Sequence, residues 1–287
     1  MSNSPPNLTR IKTVIRAKTG VIIDDKNEYL IGSRLGILLE ENNLSSFDEL
    51  ADVLAGPQDS PIFKKFLERI TTHETRFFRD ESTFAALVEQ MIPEWMERNR
   101  SFGGASRPLN IWCAAGSTGQ EAYSIAMLIH SKFPQIFPSL NLVSTDISET
   151  CVERASAGFF TDYEMNRGVS DELRAKFFVR VSDKGYNISS EIRSKVEFKQ
   201  QNLLVTPYAG KFDIVFCRNV LIYFDLAVRK QILEGFQRVI LPDGFLVLGA
   251  TESPTGLLDS YVVRQFGLTR YYEINSTNIT FAPAQMR

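Results

Sequence analysis

Cysteine and histidine are scarce in this sequence, which has three cysteines and two histidines in 287 residues. Cys113, Cys151 and Cys217 are far apart, form no CxxC pair and belong to no local Cys/His cluster with the spacing of metal ligands. We therefore expect reduced thiols and no metal site. Reduced thiols in turn favour a cytoplasmic protein, because disulfides persist mainly in oxidising compartments.

Long apolar runs and an excess of basic charge are also missing. No stretch of about 18 apolar residues occurs, and the segment MSNSPPNLTRIK lacks the apolar region of a signal peptide. We therefore expect no insertion into a membrane. The formal net charge is −2 and the pI is about 5.9, whereas proteins that bind nucleic acid usually carry a basic surface. Nucleic acid is therefore not an expected partner.

The first part of the chain has the pattern of a small helical domain. From about residue 7 to residue 70, apolar side chains recur three and four positions apart, and no strand pattern occurs. We predict an all-helical domain over residues 1–72, in which 1–7 are disordered. Asp80 can cap a further helix, so we predict a linker helix within 73–108 that ends in the loop SFGGASRP.

From Leu109 onward, segments typical of buried strands alternate with amphipathic helices. This alternation predicts a parallel α/β sheet in a domain over 109–287. The strand segments are LNIWCAAG (109–116), LNLVSTD (140–146), FDIVFCRN (212–219) and GFLVLG (244–249).

One segment interrupts the alternation of strands and helices. Short β-type pieces flank the turn signal Asp183-Lys184-Gly185, and a polar, β-leaning stretch follows it. We predict a small antiparallel β insertion at about 177–200. An elaborated crossover between two strands of the sheet explains the same pattern equally well.

A strand, a glycine turn and a helix follow one another in LNIWCAAGSTGQEAYS. Small residues let a ligand approach the backbone, and the N–H groups at the start of the helix can face it. Asp146 ends the next strand, where a carboxylate can accept hydrogen bonds from ribose hydroxyls. Because the spacing is not GxGxxG, the unit favours an adenosine ligand over a pyrophosphate. Ordinary close packing of strand and helix is the alternative.

Two further stretches carry polar and aromatic side chains. CRNVLIYFD follows a strand, at the edge where open α/β sheets bind ligands, and brings Arg218, Asn219 and Tyr223 to that edge. TTHETRFFRD, residues 71–80, joins the helical part to the α/β part. On the residues alone, Tyr223 can equally be a half-buried packing residue, His73 a core or capping histidine, and the arginines ordinary surface charges.

Taken together, these motifs resemble one family. TTHETRFFRD, WCAAGSTGQEAYS, STDIS, QNLL and FCRNVLIYFD occur in that order and span nearly the whole chain. The sequence is similar to the chemotaxis-receptor glutamate methyltransferases, the CheR family. The resemblance implies an α/β fold of the Rossmann-like class I S-adenosylmethionine-dependent methyltransferase type, with a small antiparallel β insertion and an all-α N-terminal domain. It also implies S-adenosylmethionine as methyl donor and S-adenosylhomocysteine as product.

The resemblance also assigns residues to the site. Arg79 and Tyr223 are the implied catalytic residues, near the acceptor and the transferred methyl group. Asp146 would hold the adenosine part of the donor, and the residues at 202 and 203 would lie along the adenine. The full set implied to bind the donor is His73, Thr75, Arg79, Glu121, Asp146, Asn202, Leu203, Arg218 and Asn219.

The chain departs from the family's usual pattern at several positions. His73 replaces a usual asparagine, AAGS at 114–117 replaces the usual turn Ala-Gly-Cys-Ser, and Ala250-Thr251-Glu252 replaces His-Ser-Glu. We expect these changes to affect donor affinity more than the fold. In particular, we expect the Cβ of Ala115 to crowd the donor.

The implied acceptor is a glutamate of a chemoreceptor. Its carboxylate, with a pKa of about 4.3, is already ionised at neutral pH, so that no general base is needed. Arg79 is expected to hold one carboxylate oxygen by a charge-assisted hydrogen bond while the other oxygen attacks. A methyltransferase-like module that binds donor or receptor without turnover, and a methyltransferase for another substrate class, are the alternatives.

The implied partner is the cytoplasmic stalk of membrane chemoreceptors. The first predicted helix, about 8–18, carries basic residues and no acid, and we expect Lys12 and Arg16 to help dock an acidic stalk. A solvated charged face is the alternative. The turn at 182–186 is short, from which we predict that the protein does not depend on a C-terminal pentapeptide of the receptor.

Overall fold

The computed structural model describes residues 8–100 and 107–274. The segment predicted to be disordered, 1–7, and most of the predicted loop 101–108 lie outside these ranges. None of the helices within the two described stretches is long and apolar enough to cross a membrane.

The described part of the chain begins with a helical bundle: α1 (Thr9–Thr19), α2 (Tyr29–Glu41), α3 (Phe47–Ala55) and α4 (Pro61–Ile70). Serine hydroxyls begin the last two helices, because Ser46 accepts the N–H of Glu49 and Ser60 accepts the N–H of Phe63. Each helix buries an apolar stripe, which confirms the predicted all-helical fold. The fully buried residues of these stripes include Ile15, Leu35, Leu50 and Phe66.

A helical rod links the bundle to the sheet and consists of α5 (Glu81–Ala86), a π-helical turn (Leu87–Met91) and α6 (Ile92–Arg100). The π turn ends two residues before Pro93, whose nitrogen cannot donate to the carbonyl four residues earlier, within that turn. The prediction that Asp80 caps this rod is wrong. Asp80 has a left-handed backbone with φ of 60°, and its carboxylate bonds Arg218 instead of a helix N–H group.

The described residues contain the strands β1 (Leu109–Ala114), β2 (Leu140–Asp146), β3 (Phe159–Thr161), β4 (Phe178–Ser182), β5 (Gly185–Ile188), β6 (Val196–Gln200), β7 (Phe212–Cys217), β8 (Ile240–Leu248), β9 (Tyr261–Phe266) and β10 (Thr269–Ile274). A seven-stranded sheet has the order β6-β2-β1-β7-β8-β10-β9. β10 runs antiparallel to β8 and β9, and the other neighbours are parallel. The predicted parallel α/β sheet is therefore present, with an antiparallel hairpin at one edge.

The helices of this part are α7 (Gln120–Lys132), α8 (Glu149–Ala157), α9 (Asp162–Met165), α10 (Asp171–Phe177), α11 (Ser190–Arg193) and α12 (Leu226–Val239). Side chains alternate between the two faces along β1, so that Ile111 joins the core with α7 and Trp112 joins the core with α12. β7 is buried along its whole length. Because β1, β2, β6 and β7 are parallel neighbours, their carboxyl ends lie at one edge of the sheet.

An antiparallel insertion is present, but its predicted extent of about 177–200 is wrong. β3, β5 and β4 form a separate three-stranded sheet in that order, so the insertion begins at Phe159. The segment Val196–Gln200 is instead β6, which pairs in parallel with β2 at the edge of the large sheet. β3 is too short to show an alternating pattern, and an edge strand exposes polar side chains such as Glu197 and Lys199. Those two features explain the error.

Candidate active site

A cleft of about 430 Å³ opens between the helical bundle and the carboxyl edge of the large sheet. Its walls come from the loop after α1, the segment that follows α4, the turn after β1 and the residues that follow β2, β6 and β7. The fold thus brings together every residue that the resemblance assigns to the site, whereas their individual roles stay predictions. These lining residues are His73, Thr75, Arg79, Glu121, Asp146, Asn202, Leu203, Arg218, Asn219 and Tyr223.

The turn after β1 is built from left-handed backbone. Ala115 has φ of 62° and Ser117 has φ of 51°, although this region costs a residue with a Cβ roughly 1–2 kcal/mol. Between them, Gly116 has no side chain to place, and a Cβ there would overlap the Oγ of Ser144 in β2. Ala115 lines the cleft and also packs on the core beside α12. The expected crowding of the donor by its Cβ stays a prediction.

We expect Gly116→Ala to lower the free energy of unfolding by about 1–3 kcal/mol, the usual cost of overpacking. Ser144→Ala removes the oxygen that the new Cβ would meet, and the Cβ of residue 144 then lies 3.4 Å away, in ordinary contact. The double variant should therefore recover most of the loss. Urea unfolding of both variants measures this, and a loss that persists unchanged in the double variant contradicts this explanation of the glycine.

Asp146, the last residue of β2, presents a buried carboxylate at the cleft. Its Oδ2 accepts the N–H of Ser117 at 2.8 Å, and its Oδ1 accepts the N–H of Ser148 at 3.0 Å. Burial raises the pKa of Asp146, and these N–H groups and His73 oppose that rise. Each oxygen has a further lone pair. The carboxylate can therefore still accept hydrogen bonds from ligand hydroxyls.

Arg218, directly after β7, links its own segment to the segment before α5 and to the start of α7. Its side chain is 2% exposed and forms ion pairs with Asp80 at 2.6 Å and Glu121 at 2.8 Å. Its Nη2 also donates to the carbonyl of Arg79 at 2.8 Å. The buried Nε has no partner among the described residues, and an unpaired buried donor is costly. A ligand that brings a hydrogen-bond acceptor, as the methionine carboxylate of S-adenosylmethionine does, fits this wall of the cleft.

Glu252 positions the loop after β7, a role that the sequence motifs did not reveal. The residue is 7% exposed, and the signals in the sequence are an acid shortly after a buried strand and its match to the glutamate of the family's usual His-Ser-Glu. Its carboxylate fixes the loop in a shape in which Asn219 has a left-handed φ of 60°. The carboxylate accepts, at 2.7 to 3.3 Å, the backbone N–H groups of Gly249, Asn219, Val220 and Ile222.

Glu252→Gln should weaken binding of S-adenosylhomocysteine by about tenfold or more. The amide puts an NH₂ group where an oxygen accepted backbone N–H donors, and each unsatisfied buried group costs about 1–3 kcal/mol. Isothermal titration calorimetry measures the affinity. The matched control is Glu172→Gln, at an exposed glutamate outside the cleft. If both variants bind the ligand as the unmodified protein does, the positioning role of Glu252 is excluded.

Arg79 presents a guanidinium that the protein leaves available. Its Nη1 donates to the carbonyl of Glu74 at 3.1 Å, and no carboxylate in the described part of the chain forms an ion pair with it. The charge of Arg218, in contrast, is balanced by two carboxylates of the protein. Tyr223 is half-buried, and its carbonyl accepts the N–H of Ile22 at 3.0 Å. Of these two arginines, Arg79 is therefore the one whose charge is available to an anionic acceptor.

His73 lines the cleft with its side chain already engaged. Its Nε2 lies 3.0 Å from the carbonyl of Glu68, and its Nδ1 lies 2.9 Å from the Sγ of Cys151. Its own carbonyl accepts the hydroxyl of Ser117 at 3.0 Å. His73 thus supports the turn after β1 through its backbone.

The loop after α1 forms one wall of the cleft, which the motifs did not indicate. Besides the bond from Ile22 to Tyr223, the side-chain amide of Asn202 donates to the carbonyl of Lys18 at 2.8 Å. Gly20, with φ of 76°, ends α1 against the side chain of Leu204. The only trace of this contact in the sequence is a glycine that can end a helix.

Lys12 and Arg16 of α1 already form ion pairs within the chain. Lys12 forms ion pairs with Glu28 at 2.8 Å and Asp25 at 2.9 Å, and Arg16 pairs with Asp225. The Arg16 pair joins the helical bundle to the start of α12. These ion pairs lie at the surface, where such pairs are weak, and the receptor-docking role of the two cations stays a prediction.

Comparison with known proteins identifies the family. The profile described as "CheR methyltransferase, SAM binding domain" matches residues 73–265, and "CheR methyltransferase, all-alpha domain" matches residues 6–71. The chemotaxis protein methyltransferase of Vibrio parahaemolyticus is 38% identical over 253 residues, which are 86% of this chain and 89% of the relative.

Two other relatives extend the match. The chemotaxis protein methyltransferase Cher2 of Pseudomonas putida is 35% identical over 92% of this chain and 96% of its own. That of Escherichia coli is 30% identical over 91% and 89%. The implied Rossmann-like class I methyltransferase fold, the all-α N-terminal domain and S-adenosylmethionine as donor are confirmed. The chain belongs to the CheR family of S-adenosylmethionine-dependent methyltransferases.

Proposed function

We propose that this chain methylates glutamate side chains of chemoreceptors and so produces the glutamate methyl esters of sensory adaptation. The observation that carries the proposal is the guanidinium of Arg79, which forms no ion pair with any described carboxylate, in a cleft that also holds Asp146 and Arg218. The relatives named as chemotaxis protein methyltransferases support the same reaction.

Two of the arginines that line the cleft, Arg79 and Arg218, are proposed to have different roles. Arg218 is neutralised by Asp80 and Glu121, so that it does not attract the acceptor carboxylate. Arg79 can donate to one oxygen of that carboxylate and leave the other oxygen free to attack. Bound S-adenosylmethionine supplies an activated methyl group on a sulfonium. Orientation of the acceptor is then the main contribution of the protein, and the Tyr223 hydroxyl would orient the same group.

The remaining residues are proposed to hold the donor. Asp146 would accept hydrogen bonds from the ribose hydroxyls with its free lone pairs. Asn202 and Leu203 would lie along the adenine, where the bond from Asn202 to Lys18 fixes the amide. The other proposed donor contacts are His73, Thr75 and Arg79, toward the methionine end, and Glu121, Arg218 and Asn219.

The proposed partner is the cytoplasmic stalk of a membrane chemoreceptor, and the proposed location is the cytoplasm. We also propose that the protein does not depend on a C-terminal pentapeptide of the receptor. The short turn between Ser182 and Gly185 in the insertion supports this proposal. The two family matches, which meet at residues 71 and 73, support the proposed division into a helical domain over 1–72 and a catalytic part beyond it.

Calorimetry with S-adenosylmethionine, followed by transfer of a tritiated methyl group to receptor-bearing membranes, tests the proposed function. The proposal predicts donor binding and label on the receptor that mild base releases. Donor binding without any transfer would instead identify a non-catalytic binding module. Transfer to a molecule other than the receptor would identify another substrate class.

A further inference from the structure

Three side chains from separate segments form a compact cluster behind the turn after β1. His73 follows α4, Asp146 ends β2 and Cys151 lies in the first turn of α8. One potential metal-ligand atom from each residue lies within 4.8 Å of the other two. The expectation of no metal site rested on the spacing of cysteines and histidines in the sequence. Spacing does not reveal ligands that the fold brings together from positions 73, 146 and 151.

The hydrogen bonds of His73 determine which nitrogen is available as a ligand. The carbonyl of Glu68 can only accept, so Nε2, at 3.0 Å from it, carries the proton. Nδ1 therefore has the free lone pair, and it faces Cys151 at 2.9 Å. Histidines that ligate metals commonly donate their other N–H to a carbonyl or carboxylate in this way. The ring is therefore already oriented as a ligand.

Hydrogen bonds also hold Asp146 and Cys151 in place. Both oxygens of Asp146 are anchored by backbone N–H groups, and the backbone N–H of Cys151 donates to the hydroxyl of Ser148 at 3.1 Å. Zinc bonds of about 2.0–2.3 Å place tetrahedral ligand atoms roughly 3.5 Å apart. The present separations, from 2.9 Å to at most 4.8 Å, bracket that value. Rotation of side chains without movement of the backbone can then satisfy the geometry.

We propose that Nδ1 of His73, Sγ of Cys151 and a carboxylate oxygen of Asp146 bind a borderline divalent cation of the Zn²⁺ type. Sulfur and imidazole ligands favour Zn²⁺ over Mg²⁺ or Ca²⁺, which prefer oxygen ligands. On binding, the thiol of Cys151 loses its proton to solvent, and the sulfur–metal bond replaces the S–H bond. Because His73 and Asp146 line the cleft, water can complete the coordination.

The cation competes with the methyl donor, because Asp146 is both a ligand of the cation and the proposed acceptor for the ribose hydroxyls of the donor. A carboxylate oxygen that bonds the cation cannot also accept from a ribose hydroxyl along the same lone pair. Donor and cation must then weaken each other's binding by the same factor. This competition, unlike the metal site itself, rests on the proposed donor-binding role of Asp146. The cluster would make methyl transfer sensitive to free zinc.

Binding of Co²⁺ as a spectroscopic substitute for Zn²⁺ tests the site on the full chain. We expect a thiolate-to-cobalt absorption band that Zn²⁺ removes and Mg²⁺ does not. Cys151→Ser should abolish the band and keep the affinity for S-adenosylhomocysteine, which shows that the variant is folded. The matched control Cys217→Ala, at a buried cysteine outside the cluster, should keep the band. A band that survives in Cys151→Ser, or no band in the unmodified protein, overturns the site.

Titration of Zn²⁺ with and without saturating S-adenosylhomocysteine tests the competition. We expect the ligand to weaken zinc binding at least tenfold. Zinc binding that does not change refutes the competition and leaves the metal site standing. Methyl transfer measured with a chelator present reports on the proposed function separately, so that failure of the metal site and failure of the function give different results.

Discussion

Replacement of Arg79 by alanine is expected to slow methyl transfer to a receptor by about 100- to 1000-fold while the protein stays folded. Loss of one oriented donor at a reacting group, or misplacement of the substrate by about 1 Å, has effects of this size. The fold should survive because, among the described residues, the side chain hydrogen-bonds only to the carbonyl of Glu74. Initial rates with tritiated donor at saturation measure the effect.

Two further variants separate orientation from charge. Arg76→Ala removes a neighbouring exposed arginine that also lines the cleft, and it should leave the rate largely unchanged. Arg79→Lys keeps the charge but not the planar pair of donors, and should recover only part of the rate. A near-normal rate in Arg79→Ala with unchanged donor affinity rules out the proposed role.

Arg218→Met is expected to lower the free energy of unfolding by about 3 kcal/mol and to abolish measurable donor binding. Breaking a buried ion pair from one side usually costs about 3–5 kcal/mol, because the remaining charge is left unpaired. We expect the lower end of this range because water can partly solvate the Asp80 carboxylate once its partner is gone. The side chain of Asp80 is 38% exposed, whereas that of Glu121 is 13% exposed. Urea unfolding and calorimetry with S-adenosylhomocysteine measure the two effects.

The unpaired charge can be removed to check this cause. Glu121→Gln in the Arg218→Met background takes away the more buried of the two carboxylates, so the double variant should regain part of the lost stability. Donor binding should not return, because the arginine is still absent. If the double variant is less stable than Arg218→Met alone, the stability loss has another origin than the stranded carboxylate.

The site could be predicted from the sequence to the extent that its residues follow strands. Asp146 ends one parallel strand and Arg218 directly follows another, and the carboxyl ends of such strands meet at one edge of a sheet. Their shared position in one cleft was therefore accessible from the strand pattern. The residues of the helical segments, such as His73 and Arg79, could be assigned only through the resemblance to a family.

Interactions between distant segments were not predictable. Asp80 has the residue type and position of a helix cap, but its ion pair with Arg218 overrides that local preference. Glu252 is a single acid in a loop, and its importance depends on four backbone N–H groups that the fold brings to it. The edge strand Val196–Gln200 was predicted to be part of the insertion. An exposed edge strand and an exposed insertion both carry polar side chains, so the sequence pattern does not distinguish them.

Mass spectrometric mapping of methyl esters on a co-expressed chemoreceptor tests the proposed function most directly. The account predicts base-labile methyl groups on glutamates of the cytoplasmic stalk with the unmodified protein, and none with Arg79→Ala produced at the same level. It also predicts the same esters on a receptor that lacks its C-terminal pentapeptide. Receptor glutamates without methyl esters, in cells where the protein is folded and binds its donor, would contradict the proposal that this chain is a receptor glutamate methyltransferase.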